Sequence, residues 1–295
     1  MKRSTSLLDS KHDLRRTVSS KLARLISWTF LSLFGDKIQR HNSRHRLLAV
    51  LAARLSFRLY NKDLVWPGDH ESLTIYRGFP EATVAITDRN FTLYSLAKST
   101  RNVEGDTVEC GVFRGATSFM IGASQRGTGK KHYVFDSFEG LSVPGEEDLV
   151  SKSRPHYWKA HDLSAPEDVV RRNLAALDDV CLFKGWIPSR FREVADTRFS
   201  FVHIDVDLYR PTLDSLEFFY ERLNSSGLIV CDDYGNKQCP GAKKALDSFM
   251  ADKPEDVVHL ATGQGVIWKR NSTYFRGIRS KIFRRRRRTE KNALG

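Results

Sequence analysis

The stretch FVHIDVDLYRPTLDSLEFFYERLNSSGLIVCDDYG, residues 201–235, decides the fold. Two short apolar runs each end in a pair of carboxylates, Asp205/Asp207 and Asp232/Asp233. Between the runs, Leu213, Leu216, Phe219, Tyr220 and Leu223 recur at helical spacing, Pro211 suits a first turn, and Gly227 reads as the stop. The unit is strand, helix, strand. If the strands are parallel neighbours, a right-handed crossover brings both of their carboxyl ends to one edge of the sheet. Asp205 and Asp232, 27 positions apart, then converge. Carboxylates gathered in one place repel unless a cation sits among them or some take up protons. Oxygen-only donors favour a hard ion such as magnesium, calcium or manganese over zinc. A pair such as Asp232/Asp233 also serves as a plain helix cap. Two pairs at successive strand ends argue for a site.

Upstream lies DTVECGVFRGATSFMIGASQ, residues 106–125. A β-type run ends at Glu109 and Cys110, Gly111 and Gly115 follow, and Ala116, Phe119, Met120 and Ala123 take up helical spacing. Doubly wound sheets present backbone to a nucleotide through this kind of strand, glycine turn and helix start. The spacing is E-x-G-x-x-x-G, without the close-set glycines that a pyrophosphate requires. It suits a cofactor with a cationic or amino-acid end, and equally a tight turn with no ligand. The next strand, HYVFD, ends in Asp136, 21 residues after Gly115. That is close to the offset at which an acid meets ribose hydroxyls, so an adenosine-containing ligand is indicated, with a simple turn cap as the alternative.

The remaining segments continue the alternation. TDRNFTLYSLAKS (87–99) reads as a helix opened by Thr87 or Asp88, APEDVVRRNLAALDD (165–179) as a helix, and VCLFKG (180–185) and SFVHID (200–205) as strands. PGAKKALDSFMADK, DVVHLA and GVIWKR add a helix and a terminal strand pair, giving a doubly wound α/β domain. Residues 142–166 show no period, and a loop of that length inside a domain commonly acts as a lid.

The 295 residues are 40% hydrophobic and 28% charged, enough for a sizeable core. The formal charge of +13 divides unevenly: +10 over residues 1–60 (thirteen basic against three acidic), −7 over 61–268 (24 against 31) and +10 over 269–295 (eleven against one). An acidic body with basic ends does not resemble a base-reading nucleic-acid module. Cys110, Cys181, Cys231 and Cys239 show no CxxC spacing and read as buried thiols in a reducing compartment, placing the chain in the cytoplasm. No run reaches the roughly 18 apolar residues of a spanning helix. Leu14, Val18, Leu22, Leu25, Ile26, Phe30 and Phe34 follow a helical period, with Arg15, Arg16, Lys21 and Arg24 elsewhere on the surface. Such a helix lies on an anionic membrane, resembles an organelle transit peptide, or packs on the body or a partner subunit. The run Arg284 to Arg288 is a solvated tail or a second point of attraction to an anionic surface, peripheral to the membrane. The boundaries follow: a basic helical extension over 1–60, the body over 61–270, and a basic tail over 271–295.

VECGVFRGATSFMIGAS, YVFDSFEGL, HIDVDLYRPTLDSLEFFYERL and GLIVCDDYG with CPGAKKALDSF resemble, in order and spacing, the macrocin O-methyltransferase family. The similarity covers roughly residues 85–270, and both ends lie outside it. The resemblance implies a Rossmann-like class I methyltransferase with a seven-stranded, mostly parallel sheet and an antiparallel last strand, here with N-terminal helices added. It implies S-adenosylmethionine as donor, a magnesium ion, and the hydroxyl of a saccharide (glycoside or polysaccharide) as acceptor. The family's metal ligands fall on Asp205, Asp232 and Asp233, its cofactor side on Glu109, Gly111, Gly115, Asp136, Ser137 and Gly185, and its base on Asp205. Catechol-type methyltransferases offer a lysine where this chain has Leu208, and IPSRF after Trp186 departs from the family pattern. Trp186 is placed near an adenine ring or in core packing, and His203 in a packed, hydrogen-bonded role or a catalytic one. Two alternatives stand beside this function: a nicotinamide-dependent oxidoreductase, disfavoured by the absent G-x-G-x-x-G, and a non-catalytic adenosine-ligand binding protein, disfavoured by the intact carboxylates. A homo-oligomer is open.

Overall fold

Short apolar runs that alternate with amphipathic helices build a central sheet, and the side chains of each strand divide between its two faces. In the computed structural model, which describes residues 23–55, 64–83, 86–151 and 156–270, the strands are β1 (Asp106–Cys110), β2 (His132–Asp136), β3 (Val180–Lys184), β4 (Phe199–Ile204), β5 (Leu223–Cys231), β6 (Val257–His259) and β7 (Gly265–Trp268). Their order is β3-β2-β1-β4-β5-β7-β6. The first five run parallel, and β7 pairs antiparallel with both β5 and β6. This is the seven-stranded, mostly parallel sheet with an antiparallel last strand that the sequence motifs imply.

The chain divides into two compact units, Met1–Val65 and Trp66–Gly295. The first contains α1, described over 23–34, and α2 (Lys37–Arg54), whose capping box pairs Asp36 with Gln39. Ile26, Phe30, Leu33, Phe34, Ile38, Leu48 and Leu51 stand exposed on these helices. Leu14, Val18, Leu22 and the run Arg284 to Arg288 lie outside the described residues.

In the second unit α3 (His70–Arg77), α4 (Asp88–Ser99), α5 (Ala116–Ser124), α6 (Glu167–Leu174), α7 (Tyr209–Tyr220) and α8 (Pro240–Met250) surround the sheet. One face packs Val108, Cys110, Val202, Ile204, Ile229 and Cys231 against Leu216 and Phe219 of α7 and Ala242 and Leu246 of α8. The other sets Phe201, Val230 and Val266 against Leu93 and Ala97 of α4 and Ile121 of α5. The period-2 alternation therefore sorts the residues of each central strand. Thr87 caps α4 by accepting the Asn90 N–H at 3.1 Å.

One sequence expectation fails. The helix after Asp207 ends at Tyr220, and Gly227 lies inside β5, which begins at Leu223. Gly227 serves close packing there: a Cβ would come within 2.9 Å of the Ser200 carbonyl oxygen, where β4 and β5 shift register.

Candidate active site

The parallel register decides where the acids go. Ile204 pairs with Cys231 and Asp232 N–H bonds to the Ile204 carbonyl at 2.9 Å, so Asp205 and Asp232 leave neighbouring strands at the same level. Asp205 N–H in turn bonds to Cys110 O at 2.9 Å, which ties the rim of β4 to the end of β1. Gly111, at φ +81, follows at once, and a Cβ there would collide with the Asp205 carbonyl oxygen. Only glycine permits that approach.

Around this rim the donor atoms fall into two groups. Those of His203, Asp205 and Asp232 lie within 4.8 Å of one another, as do those of Asp207, Asp233 and Cys239. The three expected metal ligands share one rim but not one cluster, because the successive residues Asp232 and Asp233 turn to different neighbours. Asp233 accepts the Asp207 N–H at 3.2 Å and Asn236 Nδ2 at 3.4 Å. Asp232 Oδ1 accepts Gln264 Nε2 at 2.7 Å and faces His203 Nε2 at 3.3 Å, while Arg89 of α4 donates to its Oδ2 and, at 2.8 Å, to its carbonyl. Arg89 also stands 3.6 Å from Asp233 Oδ1. Burial, then the charges of Asp233, Asp207 and Glu109, hold the Asp205 carboxyl well above the usual carboxylate range. Burial, then the Asp233 charge, pushes Asp207 up to about 7.

Two hollows flank these carboxylates. The first is lined by Gly111, Asp136, Ser137, Trp186, Asp205 and Asp207 among others. The second, of about 880 Å³, is lined by Arg89, Asp232, Asn236, Lys237, Gln238 and Thr262 together with two glycines. Asp136 braces the first hollow: its Oδ2 accepts the Val112 N–H at 2.7 Å and its Oδ1 the Phe138 N–H at 2.6 Å. Burial raises its carboxyl despite these bonds.

Of the residues expected on the cofactor side, Gly111, Asp136 and Ser137 line the first hollow, and Glu109, Gly115 and Gly185 do not. Glu109 alternates away from Cys110 onto the opposite sheet face, fully buried, with Oε1 at 2.6 Å from His203 Nδ1 and Oε2 bonded to the Ser118 hydroxyl. Gly115, at φ +95, begins α5 and turns toward Leu174, 3.3 Å from where a Cβ would sit. Gly185 bonds through its N–H to the Asp136 carbonyl at 2.9 Å, and the side chain of Arg190 crowds its Cα. Trp186 borders the first hollow. Sequence reasoning missed Arg89, Gln264 and Ser118, which carry no local signal: Arg89 lies in the polar first turn of α4, Ser118 beside Thr117 at the start of α5, and Gln264 in the turn before β7.

Of the expected lid over 142–166, residues 142–151 and 156–166 are described; the Leu141 N–H to Asp162 O bond of 2.9 Å and the His161 N–H to Leu141 O bond of 2.8 Å join its base. Asp148 clasps it to α7 by accepting the Tyr209 N–H at 2.8 Å, and Trp158 Nε1 donates to Cys239 Sγ at 3.2 Å.

The family model described as Macrocin-O-methyltransferase (TylF) matches residues 92–270. A Streptomyces olivaceus protein, 8-demethyl-8-(2,3-dimethoxy-alpha-L-rhamnosyl)-tetracenomycin-C 4'-O-methyltransferase, is 30% identical over 188 residues, covering 60% of this chain and 70% of that protein. Demethyldecarbamoylnovobiocin O-methyltransferase of Streptomyces niveus is 29% identical over 183 residues, 57% of this chain and 67% of that protein. Among solved structures, the O-methyltransferase NovP aligns with TM-score 0.53 at 24% identity, covering 68% of this chain and 88% of that one. CalS11, a calicheamicin methyltransferase, aligns at 0.51 and 15%, covering 71% and 94%. Both structures share the fold described above.

Proposed function

The chain belongs to the macrocin O-methyltransferase family, and from that premise we propose that it moves the methyl group of S-adenosylmethionine onto a hydroxyl of a saccharide, with a magnesium ion assisting. That it is an O-methyltransferase follows from the family, which sets the oxidoreductase and binding-only alternatives aside. Donor, acceptor and ion are our reading. The observation that carries it is the gathering of Asp205, Asp207, Asp232 and Asp233 at one rim of the sheet, with Asp205 and Asp207 lining one hollow and Asp232 the other. Methyl transfer from a sulfonium is an in-line displacement, so donor and acceptor approach from opposite sides, with methyl carbon and acceptor oxygen about 3 Å apart.

The first hollow suits the donor. Asp136 keeps lone pairs for ribose hydroxyls beyond its two backbone bonds, and Gly111, lacking a side chain, lines the same hollow where the donor's amino-acid end would lie. The second suits a polyhydroxylated acceptor, since Arg89, Asn236, Lys237, Gln238 and Thr262 offer hydroxyl, amide and cationic partners and no aromatic platform. Leu208 in place of a catechol-type lysine points the same way, as does the rhamnosyl acceptor in the name of the Streptomyces olivaceus relative. Asp205 stands at the rim beside Asp232, where an acceptor hydroxyl brought up to the methyl group would meet it, and is the group that takes the acceptor's proton in this reading.

The donor set fits a hard divalent ion. Asp205, Asp232 and Asp233 supply oxygens only, Asp205 close to Asp232 and Asp233 close to Asp207, and burial with the neighbouring charges drives Asp205 and Asp207 toward protonation even with the Arg89 guanidinium paired to Asp232. When bound, such an ion supplies Lewis acidity to the acceptor hydroxyl and a template for its position.

Methyl-labelled S-adenosylmethionine, offered with a panel of deoxysugar glycosides and polysaccharides in magnesium or in chelator, tests the reading. Label is expected in a saccharide hydroxyl only with the divalent ion. Undiminished transfer in chelator removes the ion, and transfer only to non-sugar phenols removes the acceptor class.

The basic ends support a peripheral contact with anionic membrane: residues 1–60 and 269–295 each carry +10, and α1 and α2 expose Phe30, Phe34 and Ile38. Unchanged co-sedimentation with anionic liposomes after removal of both ends refutes this, and light scattering reads whether the same helices join two copies instead. Among the described residues no helix is long and apolar enough to cross a membrane. The four free cysteines accord with a reducing compartment such as the cytoplasm.

A further inference from the structure

Beneath α4 and α5, five polar side chains form one line inside the core. Thr107 Oγ1 meets His132 Nδ1 at 2.9 Å, and His132 Nε2 meets Ser118 Oγ at 3.1 Å. The Ser118 hydroxyl donates to Glu109 Oε2, and Glu109 Oε1 meets His203 Nδ1 at 2.6 Å. His203 Nε2 then faces Asp232 Oδ1 at 3.3 Å. Thr107, Ser118, Glu109, His132 and His203 are each no more than 2% exposed. They come from β1, β2, α5 and β4, so four elements contribute to a line that emerges at the end of β5.

Burying a carboxylate and two imidazoles is costly unless every polar atom is partnered, and aliphatic side chains of like volume fill such a space at less cost. The rest of this sheet face is aliphatic and aromatic. The line has one outlet, Asp232 at the rim. There His203 and Gln264 hold Oδ1, while Oδ2 carries the ion pair with Arg89, whose guanidinium already brings positive charge to this carboxylate.

We propose that Glu109 and His203 are positioning residues: through the buried contact of His203 with Asp232 Oδ1, they fix the direction in which the Asp232 carboxylate would be presented to a divalent ion. The role first expected for Glu109, contact with the methyl donor, is thereby replaced by action through the metal ligand. The proposal rests on the divalent-ion reading of the rim. A carboxylate held by a second carboxylate through an imidazole keeps a fixed direction, and loss of such an outer partner typically weakens metal binding 10- to 100-fold.

The test uses the full chain with Glu109→Gln and His203→Gln, each close in volume to the residue it replaces. Three quantities are read: manganese affinity from free-ion electron paramagnetic resonance, affinity for S-adenosylhomocysteine by titration calorimetry, and the melting temperature. Tyr220→Phe, which removes a buried hydrogen bond to Glu255 elsewhere in the core, is the comparator for destabilisation alone. Manganese binding about 10- to 100-fold weaker in both line variants, with S-adenosylhomocysteine affinity held within twofold and the comparator unchanged in both affinities, supports the proposal. A melting temperature that falls as in Tyr220→Phe, with manganese affinity intact, leaves a structural role only and overturns it. Loss of S-adenosylhomocysteine affinity in Glu109→Gln returns Glu109 to the donor and also overturns it. Should the unaltered protein bind no manganese at millimolar concentration, the ion reading itself fails, an outcome distinct from intact binding in the variants.

Discussion

Asp136→Asn separates two jobs that the carboxylate holds at once. Its oxygens accept the Val112 and Phe138 N–H groups at 2.7 and 2.6 Å, fixing the turns after β1 and β2. An amide keeps one acceptor and aims an NH2 group at the other N–H, so one charge-assisted bond is lost and one donor is left without a partner. That costs about 1.5–3 kcal/mol. At roughly 2–4 °C per kcal/mol for a domain of this size, the melting temperature should fall by about 3–12 °C. If the same oxygens also hold the donor's ribose, a second charge-assisted interaction of about 1.5–3 kcal/mol goes with them, and S-adenosylhomocysteine binds roughly 10- to 100-fold more weakly. Differential scanning fluorimetry reads the first effect, and titration calorimetry well below the melting temperature reads the second. A protein that melts early yet binds S-adenosylhomocysteine with unchanged affinity refutes the ribose assignment, leaving Asp136 as a staple between two turns.

Asp205→Asn should retain S-adenosylhomocysteine binding while turnover drops about 10²- to 10⁴-fold, the usual scale of a lost general base; turnover within tenfold of the parent removes Asp205 from that role. Burial depresses His132 to about 4 against its ordinary 6.5. The unfolded chain therefore binds more protons between those values, and the neutral imidazole contributes about 3 kcal/mol that is present above pH 6.5 and lost as pH falls toward 4. Urea midpoints measured across that window should decline less steeply in His132→Gln, and parallel profiles would contradict the buried neutral imidazole. Asp148→Ala frees the Tyr209 and Gly145 N–H groups that its carboxylate accepts at 2.8 and 2.9 Å. Limited proteolysis within 141–162 should accelerate and acceptor KM rise at constant donor KM; an unchanged cleavage rate means that the clasp lies elsewhere.

How far the sequence speaks depends on whether a signal is local. The runs at β1, β2, β4 and β5 are short, apolar and closed by an acid or glycine, and Thr87 announces α4 through its own side chain. These were readable. Convergence of Asp205 with Asp232 was also readable, because it follows from a parallel pair joined by one helix. The face to which Glu109 belongs was not. Alternation places it opposite Val108 and Cys110, but β1 alone does not say which face looks at the cofactor. Arg89 reaches Asp232 across 143 positions, and Gln264 reaches it from the loop before β7, contacts that exist only once the sheet has closed. Gly227 deceived for the opposite reason: a glycine after a helical pattern resembles a stop, and its actual constraint, the nearby Ser200 carbonyl, belongs to another strand.

The same distinction explains how the site combines rigidity with chemistry. The rim carboxylates repel one another, so an arrangement defined only by loop conformation would relax by rotating them apart. Here each is tied to a neighbour: Asp205 through its backbone N–H to the end of β1, Asp232 through His203 and Gln264, Asp233 through the Asp207 N–H. Burial first, and the neighbouring charges second, raise the proton affinities of Asp205 and Asp207. A cation entering among them relieves that repulsion, and with it the part of the raised proton affinity of Asp205 and Asp207 that comes from their neighbours' charges. The cost of the buried line beneath α5 and the reactivity at the rim are two sides of one arrangement, and loosening the first should blunt the second without touching the donor.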